Sequence, residues 1–326
     1  MIKMKKVFLI IIIGVLFINY SFAQPEQRQS STNIYSFFVN IVNESFNFPL
    51  IGFVNIATGS HNLPQIGFIN FNQDNFSSLQ FGFVNTVGGN MTGFQLGFVN
   101  TIAQSFQGVQ FGFINTVSQG NMHGLQFGFI NTALNGFDGT QIGFVNVARR
   151  INGFQFGFIN YADSIENGIP IGFLSFVRNG GFRAVELSIN EIGHTNFAFK
   201  TGVEKFYTSL NVSWNQTNDW GYSLLTGIGL GTHILINSNF FFNPELTFMS
   251  NIGIGDTNFQ YYSFAPNFGF RIAHGFSILI APAITWVHSR NNNGEISETF
   301  FAFYNHEINN NHNLLIGGRL ALRFQW

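Results

Sequence analysis

The sequence predicts an all-β chain, a β-solenoid with a 15-residue period followed by an antiparallel transmembrane β-barrel of about eight strands. Three observations lead there. The tetrad Gly-Phe-(Val/Ile)-Asn recurs at near-constant spacing through the first half. The last 145 residues alternate between large apolar residues and small or polar ones. Only 9% of the 326 residues are charged, against ~25% in a typical soluble protein, while Phe occurs 44 times and Gly 36 times. The same composition excludes whole classes. Disorder requires few aromatics and high net charge. Nucleic-acid binding requires a basic excess, but 14 Lys+Arg face 15 Asp+Glu. With no cysteine there is no disulfide scaffold, thiol enzyme, Cys-ligated metal or Cys-linked lipid anchor.

The first element is an export signal over residues 1–23. Lys3, Lys5 and Lys6 precede a 12-residue apolar stretch, Val7 to Ile18, and Ser21-Phe22-Ala23 sets small residues at a cleavage site before Gln24. Twelve residues rise only ~18 Å as a helix, too short for a ~30 Å hydrocarbon core. Cleavage leaves 11 basic and 15 acidic residues, a net charge of -4. Residues 24–36 form a short segment before the repeats.

Residues 37–176 are one unit in ten copies. The tetrad glycines are Gly52, Gly67, Gly82, Gly97, Gly112, Gly128, Gly143, Gly157 and Gly172; Phe37-Phe38-Val39-Asn40 is a degenerate earlier copy, and the last ends in Ser175. Gln usually stands two places before the glycine, as at Gln65, Gln80 and Gln95. The fixed part is β-branched and aromatic, hence strand-like, and the variable part is turn-like. In Phe94–Asn100, alternation puts Leu96 and Phe98 on one face and Gln95, Gly97 and Val99 on the other. In a solenoid, identical residues stack every ~4.8 Å. Phe53, Phe68, Phe83, Phe98, Phe113, Phe129, Phe144 and Phe158 are then expected as an internal aromatic ladder. Asn55, Asn70, Asn85, Asn100, Asn115, Asn131, Asn146 and Asn160 are expected as an amide ladder. The alternative makes each repeat one antiparallel strand of a single larger barrel. Its support is that only Asp74 and Asp138 are charged between Phe46 and Ala148. Uniform connection lengths, and an Asn at the same end of every unit, favour the solenoid.

After a linker, 177–181, residues 182–326 read as eight membrane strands, near 182–190, 195–203, 205–214, 222–236, 239–250, 262–272, 276–287 and 314–326. Phe276, Ile278, Ile280, Pro282, Ile284 and Trp286 face one way over Ser277, Ala281, Ala283 and Thr285. This is the apolar-out alternation of a transmembrane barrel. Tight links at 237–239 and 273–275 alternate with longer ones at about 251–258 and 289–313. Trp214, Trp220, Tyr222, Tyr262 and Trp286 fall at the long-loop end as an aromatic girdle. Lys200, Glu245, Arg271, Arg319 and Arg323 point into the lumen, as an internal ion-pair network or the lining of a small-solute pore.

Two resemblances follow from these residues. Leu320-Ala321-Leu322-Arg323-Phe324-Gln325-Trp326 resembles the C-terminal assembly signal of Gram-negative outer-membrane barrels. Leu320, Leu322, Phe324 and Trp326 are its alternating hydrophobics, with Trp where the family more often has Phe. The resemblance implies recognition by the barrel-insertion machinery. Gly124-Leu125-Gln126-Phe127-Gly128-Phe129-Ile130-Asn131 resembles the unit of bacterial surface-repeat proteins, over about 140 residues. That implies an envelope-exposed or secreted protein and carries over no catalytic residue.

An even strand number puts both barrel ends in the periplasm, so the repeats are expected there or at the barrel mouth, against the surface label of the resembling family. The eight histidines are scattered, and His306 and His312 share a polar loop with Glu307. Gly227-x-Gly229-x-Gly231 lies inside a strand and is better explained by packing than by a dinucleotide. No cofactor, metal or catalytic residue is expected. The sequence thus reads as a non-enzymatic envelope protein, anchored in outer-membrane lipid, whose uncharged Gln/Thr/Val face binds an envelope polymer or protein. A channel is the alternative, and a lipid-acting barrel enzyme a remote one.

Overall fold

The computed structural model describes residues 33–44, 46–216, 222–251, 259–289 and 301–326, which contain strands and no helix. The signal segment, Trp220 and much of the two longer barrel loops lie outside the described residues. The chain forms two compact units, residues 1–153 and 154–326.

The first unit is a parallel β-solenoid. Each coil carries two strands around a two-residue corner: Met91–Leu96, then Gly97 and Phe98, then Val99–Ile102. Successive coils pair parallel and in register, Gln95 with Gln110 and Asn100 with Asn115. Parallel neighbours rule out the single larger antiparallel barrel. Alternation runs along each strand but breaks at the corner, so Gln95 and Asn100, five residues apart, both point inward and are fully buried. The interior is completed by Met91, Ile102, Phe106, Val117 and Met122.

Close stacking explains the invariant corner glycine. A Cβ on Gly97 would stand 2.2 Å from the carbonyl oxygen of Gly82 in the preceding coil. Gly108, at φ 145°, combines a conformation closed to L side chains with the same crowding, 1.9 Å from Gly93 O.

The second unit holds the last coil and the barrel. Residues 154–164 pair in parallel with Ile169–Asn179. Eight antiparallel strands follow: Phe182–Ile189, Thr195–Val203, Phe206–Gln216, Tyr222–Gly231, Phe240–Asn251, Phe259–Ala273, Phe276–Ser289 and His312–Gln325. The last pairs back with the first, Leu187 with Leu322, and closes the wall. In Phe276–Val287 exposed and buried residues alternate without exception, with Phe276, Ile280 and Trp286 outside and Ser277, Ala281 and Thr285 inside.

Two expectations are corrected. The fourth strand stops at Gly231, not Ile236. Ile234–Leu235 turns back on Phe241 and Phe242 instead, because Asn243 captures the carbonyl of Thr232 inside the wall. The link after the seventh strand is not all loop. Ala302–Asn309 forms an exposed strand on the last barrel strand, pairing His306 with Leu314. It takes over where the short first strand ends at Ile189, beyond which Glu191 and Ile192 turn into the lumen.

Candidate functional site

The barrel interior is built around two carboxylates. Glu186, on the first strand, lies inward between Ala184 and Ser188, which share its face. It accepts from Arg323 Nε at 2.8 Å and from Arg319, and Lys200 Nζ lies at 3.2 Å. Glu245, on the fifth strand, accepts from Lys200 and, at 2.8 Å, from the Tyr207 hydroxyl. Asn243 joins the two halves: its amide nitrogen donates to the Tyr207 hydroxyl, and its oxygen accepts from Arg323 Nη1. Phe182 and Phe241 cover Arg323, whose guanidinium carbon is 5.8 and 5.5 Å from their ring centres. Three cations and two anions are thus interleaved with no direct water contact at Lys200, Glu186, Glu245 or Arg323. Burial this deep is tolerable only because each charge meets an opposite charge and a hydrogen bond.

Among the described residues, side chains fill much of the rest of the lumen. At the long-loop end Ile192, Leu225, Met249, Phe259, Tyr261, Val287 and Leu315 pack as one apolar cluster. Between cluster and network remains a cavity of about 20 Å³, lined by Glu191, Asn196, Asn211, Ser263 and Arg319. That is room for a water or two and no solute. Glu191 accepts from Thr285 and, at 3.2 Å, from Ser263. The spaced glycines make room for this filling. A Cβ on Gly231 would meet the Tyr207 ring and on Gly229 the Ser209 hydroxyl, while on Gly227 it would meet the Phe248 carbonyl and then Met249.

Of the charges assigned to the lumen, Lys200, Glu245, Arg319 and Arg323 meet in this network. Arg271 does not. It lies two residues before the end of its strand, and its guanidinium donates to Ser238 O in an exposed contact. Sequence reasoning missed Glu186, Tyr207 and Asn243. Alternation on the short first strand was the available signal for Glu186. His306 and His312 do not meet: His312 accepts from Trp286 Nε1 at 2.9 Å and stacks on His288 with ring centres 4.7 Å apart, while His306 stacks on Tyr304. Among the described residues no group of side chains could hold a metal ion.

Outside, the barrel is apolar. Leu187, Phe197, Leu246, Phe268, Ile280 and Leu322 are each half exposed or more. Leu320, Leu322, Phe324 and Trp326 all point outward on the last strand. Trp214, Tyr262 and Trp286 are exposed near the long-loop ends, and Tyr222 pairs with Gln216 at the same rim.

On the solenoid the expected faces are exchanged. The Phe ladder exists, with rings 4.9–5.0 Å apart and within 2° of parallel from Phe53 to Phe144, but it is external. Phe98 is 44% exposed. Phe158 and Phe173 repeat the stack in the last coil. Gln95, expected on the binding face, is inside. The corner is the cause: it turns the chain between Gln and Asn, so the corner Phe points off the outer edge. Two amide ladders fill the interior. Asn Nδ2 donates to the Asn of the following coil, as from Asn85 to Asn100 and Asn100 to Asn115 at 2.8 Å, and at the end of the ladder Asn160 donates to Ser175. Each Gln Nε2 donates to the preceding coil, as from Gln95 to Gln80 and Gln110 to Gln95 at 2.7 Å. Asn100 also donates to Phe111 O, tying its corner to the next. Comparison of the chain with protein-family models, curated proteins and solved structures gives no match.

Proposed function

We propose that this protein is a non-enzymatic envelope component whose barrel anchors it in a Gram-negative outer membrane and whose solenoid is an interaction module. The observation that carries the reading is the inversion of the barrel. Its exposed side is apolar around the wall, while its charges are sealed in the centre. Water would penalise that arrangement and a bilayer favours it. The basic, apolar and small-residue order of residues 1–23 supports export, and the outward hydrophobics ending at Trp326 support recognition by the insertion machinery. The repeat unit's likeness to surface-repeat proteins supports an envelope role. The side chains that fill the lumen support an anchor over a conduit.

The last coil supports a periplasmic position for the repeats. Its strand Ile169–Asn179 packs on the second and third barrel strands, where Thr201 and Thr208 donate to Ser175 O and Phe173 O. Both threonines flank the two-residue link Glu204-Lys205, and short links are the periplasmic ends of such barrels. Membrane fractionation tests the reading. The mature chain should sediment with outer membrane, need detergent for extraction, and migrate faster unheated than heated in denaturing gels. A freely soluble chain of unchanged mobility would reject it.

A further inference from the structure

The external Phe ladder stacks ring on ring between coils, yet two-fifths or more of each residue stays exposed. From Phe53 to Phe144 it runs seven rungs, about 30 Å, as a straight rib. A second exposed apolar row runs beside it, through Ile51, Ile66, Phe81, Phe111, Phe127 and Ile142. At ~200 Å² per ring, the seven rungs alone leave roughly 600 Å² in water, already the upper end for a soluble monomer's largest apolar patch. We propose that this edge lies in a phospholipid leaflet, so that the solenoid rests along the membrane with its aromatic rib among the upper acyl chains.

Three observations choose lipid as the occupant. First, the corner offers a protein partner no free backbone donor. Along the corner, Gly97 N donates to Phe111 O, and Phe98 N and Val99 N donate to Phe83 O, so the donors are spent inside the solenoid. Protein interfaces carry about one hydrogen bond per 100–200 Å², whereas acyl chains require none. Second, the only charged residues between Phe46 and Ala148 are Asp74 and Asp138, so the edge has no ionic pattern to specify a partner. Third, in the second unit a coil of the ladder packs on the barrel itself. The coil that carries exposed Phe158 and Phe173 is seated on the barrel strands whose outward side chains include Phe197 and Val212, both exposed. The inference rests on the anchor reading and names the partner of its module.

The test uses the full mature chain, which has no cysteine of its own. Three single-cysteine variants carry the same fluorophore: Phe98→Cys on the ladder, Gln107→Cys on the exposed polar edge, and Leu246→Cys on the barrel's outer face. Each is inserted into phosphatidylethanolamine/phosphatidylglycerol vesicles with brominated acyl chains, and gel mobility and circular dichroism confirm the fold. Phe83→Cys replaces Phe98→Cys if the latter misfolds. Quenching at 98 should be several-fold stronger than at 107 and approach that at 246. Equal quenching at 98 and 107, with 246 strongly quenched, overturns the proposal and leaves the anchor standing. A label at 98 shielded from both bromolipid and aqueous iodide assigns the edge to a protein partner or second copy and also overturns it. Weak quenching at 246 rejects the anchor reading, and the ladder proposal with it.

Discussion

Asn100 shows how much one side chain carries in a stacked fold. It accepts from Asn85 and donates both to Asn115 and to Phe111 O, all without water. Asn100→Ala leaves buried amide groups on both sides unpaired, at ~1–3 kcal/mol each. A loss of roughly 2–5 kcal/mol in denaturant unfolding is expected, and a loss below 1 would show that the ladder contributes little. Gly97→Ala drives a methyl into a backbone carbonyl that cannot move alone, and should lower the unfolding midpoint far more than Gln107→Ala on the outer edge. His61 supplies a pH signature. Burial holds its pKa below the ordinary 6.5, against a weaker opposing effect of hydrogen bonding to the Phe46 and Phe48 backbone. The unfolded chain therefore binds the extra proton first, and stability present above pH 6.5 is lost as pH falls below it. His61→Gln should flatten that dependence in unfolding curves measured between pH 7.5 and 5. In the barrel, Glu186→Ala strands Lys200, Arg319 and Arg323 around Glu245 alone, for which a cost of about 3–5 kcal/mol or more is expected, read as a lower urea midpoint for loss of the fast-migrating form.

At the scale of the coil, the period itself is the structural variable. Deleting residues 98–112 joins Gly97 to Phe113 and removes one whole coil, so Asn and Gln ladders close over the gap. Deleting 98–104 removes half a coil and places polar turn residues in the core. Parallel-β circular dichroism should survive the first deletion and be lost in the second; equal tolerance would contradict in-register stacking. Elements were legible where repetition or strict alternation spoke for them. The Asn column, the seventh strand and the closing strand could all be read from spacing alone. The direction of Phe98 could not, since a two-residue corner exchanges inside and outside and leaves no mark on a period of 15. Ala302–Asn309 was equally hidden, because a strand exposed on both faces has no apolar side to reveal it. Glu186 was missed although its strand alternates, because Phe182 inside and Arg183 opposite it reverse the apolar-out order at the strand's start.

On the scale of the molecule, the sealed lumen predicts electrical silence: reconstituted protein should give no stepwise conductance in planar bilayers, and steady unitary currents would mean the lumen opens. The two amide columns of the solenoid have a further consequence. Asn donors all aim toward the C-terminal coils and Gln donors toward the N-terminal ones. Their dipoles oppose rung by rung, so the stack accumulates no axial polarisation as it grows. Tandem duplication or loss of the coding block can therefore change the rod's length without an electrostatic toll, and chains from sister lineages should differ by whole multiples of the unit while both amide columns stay intact.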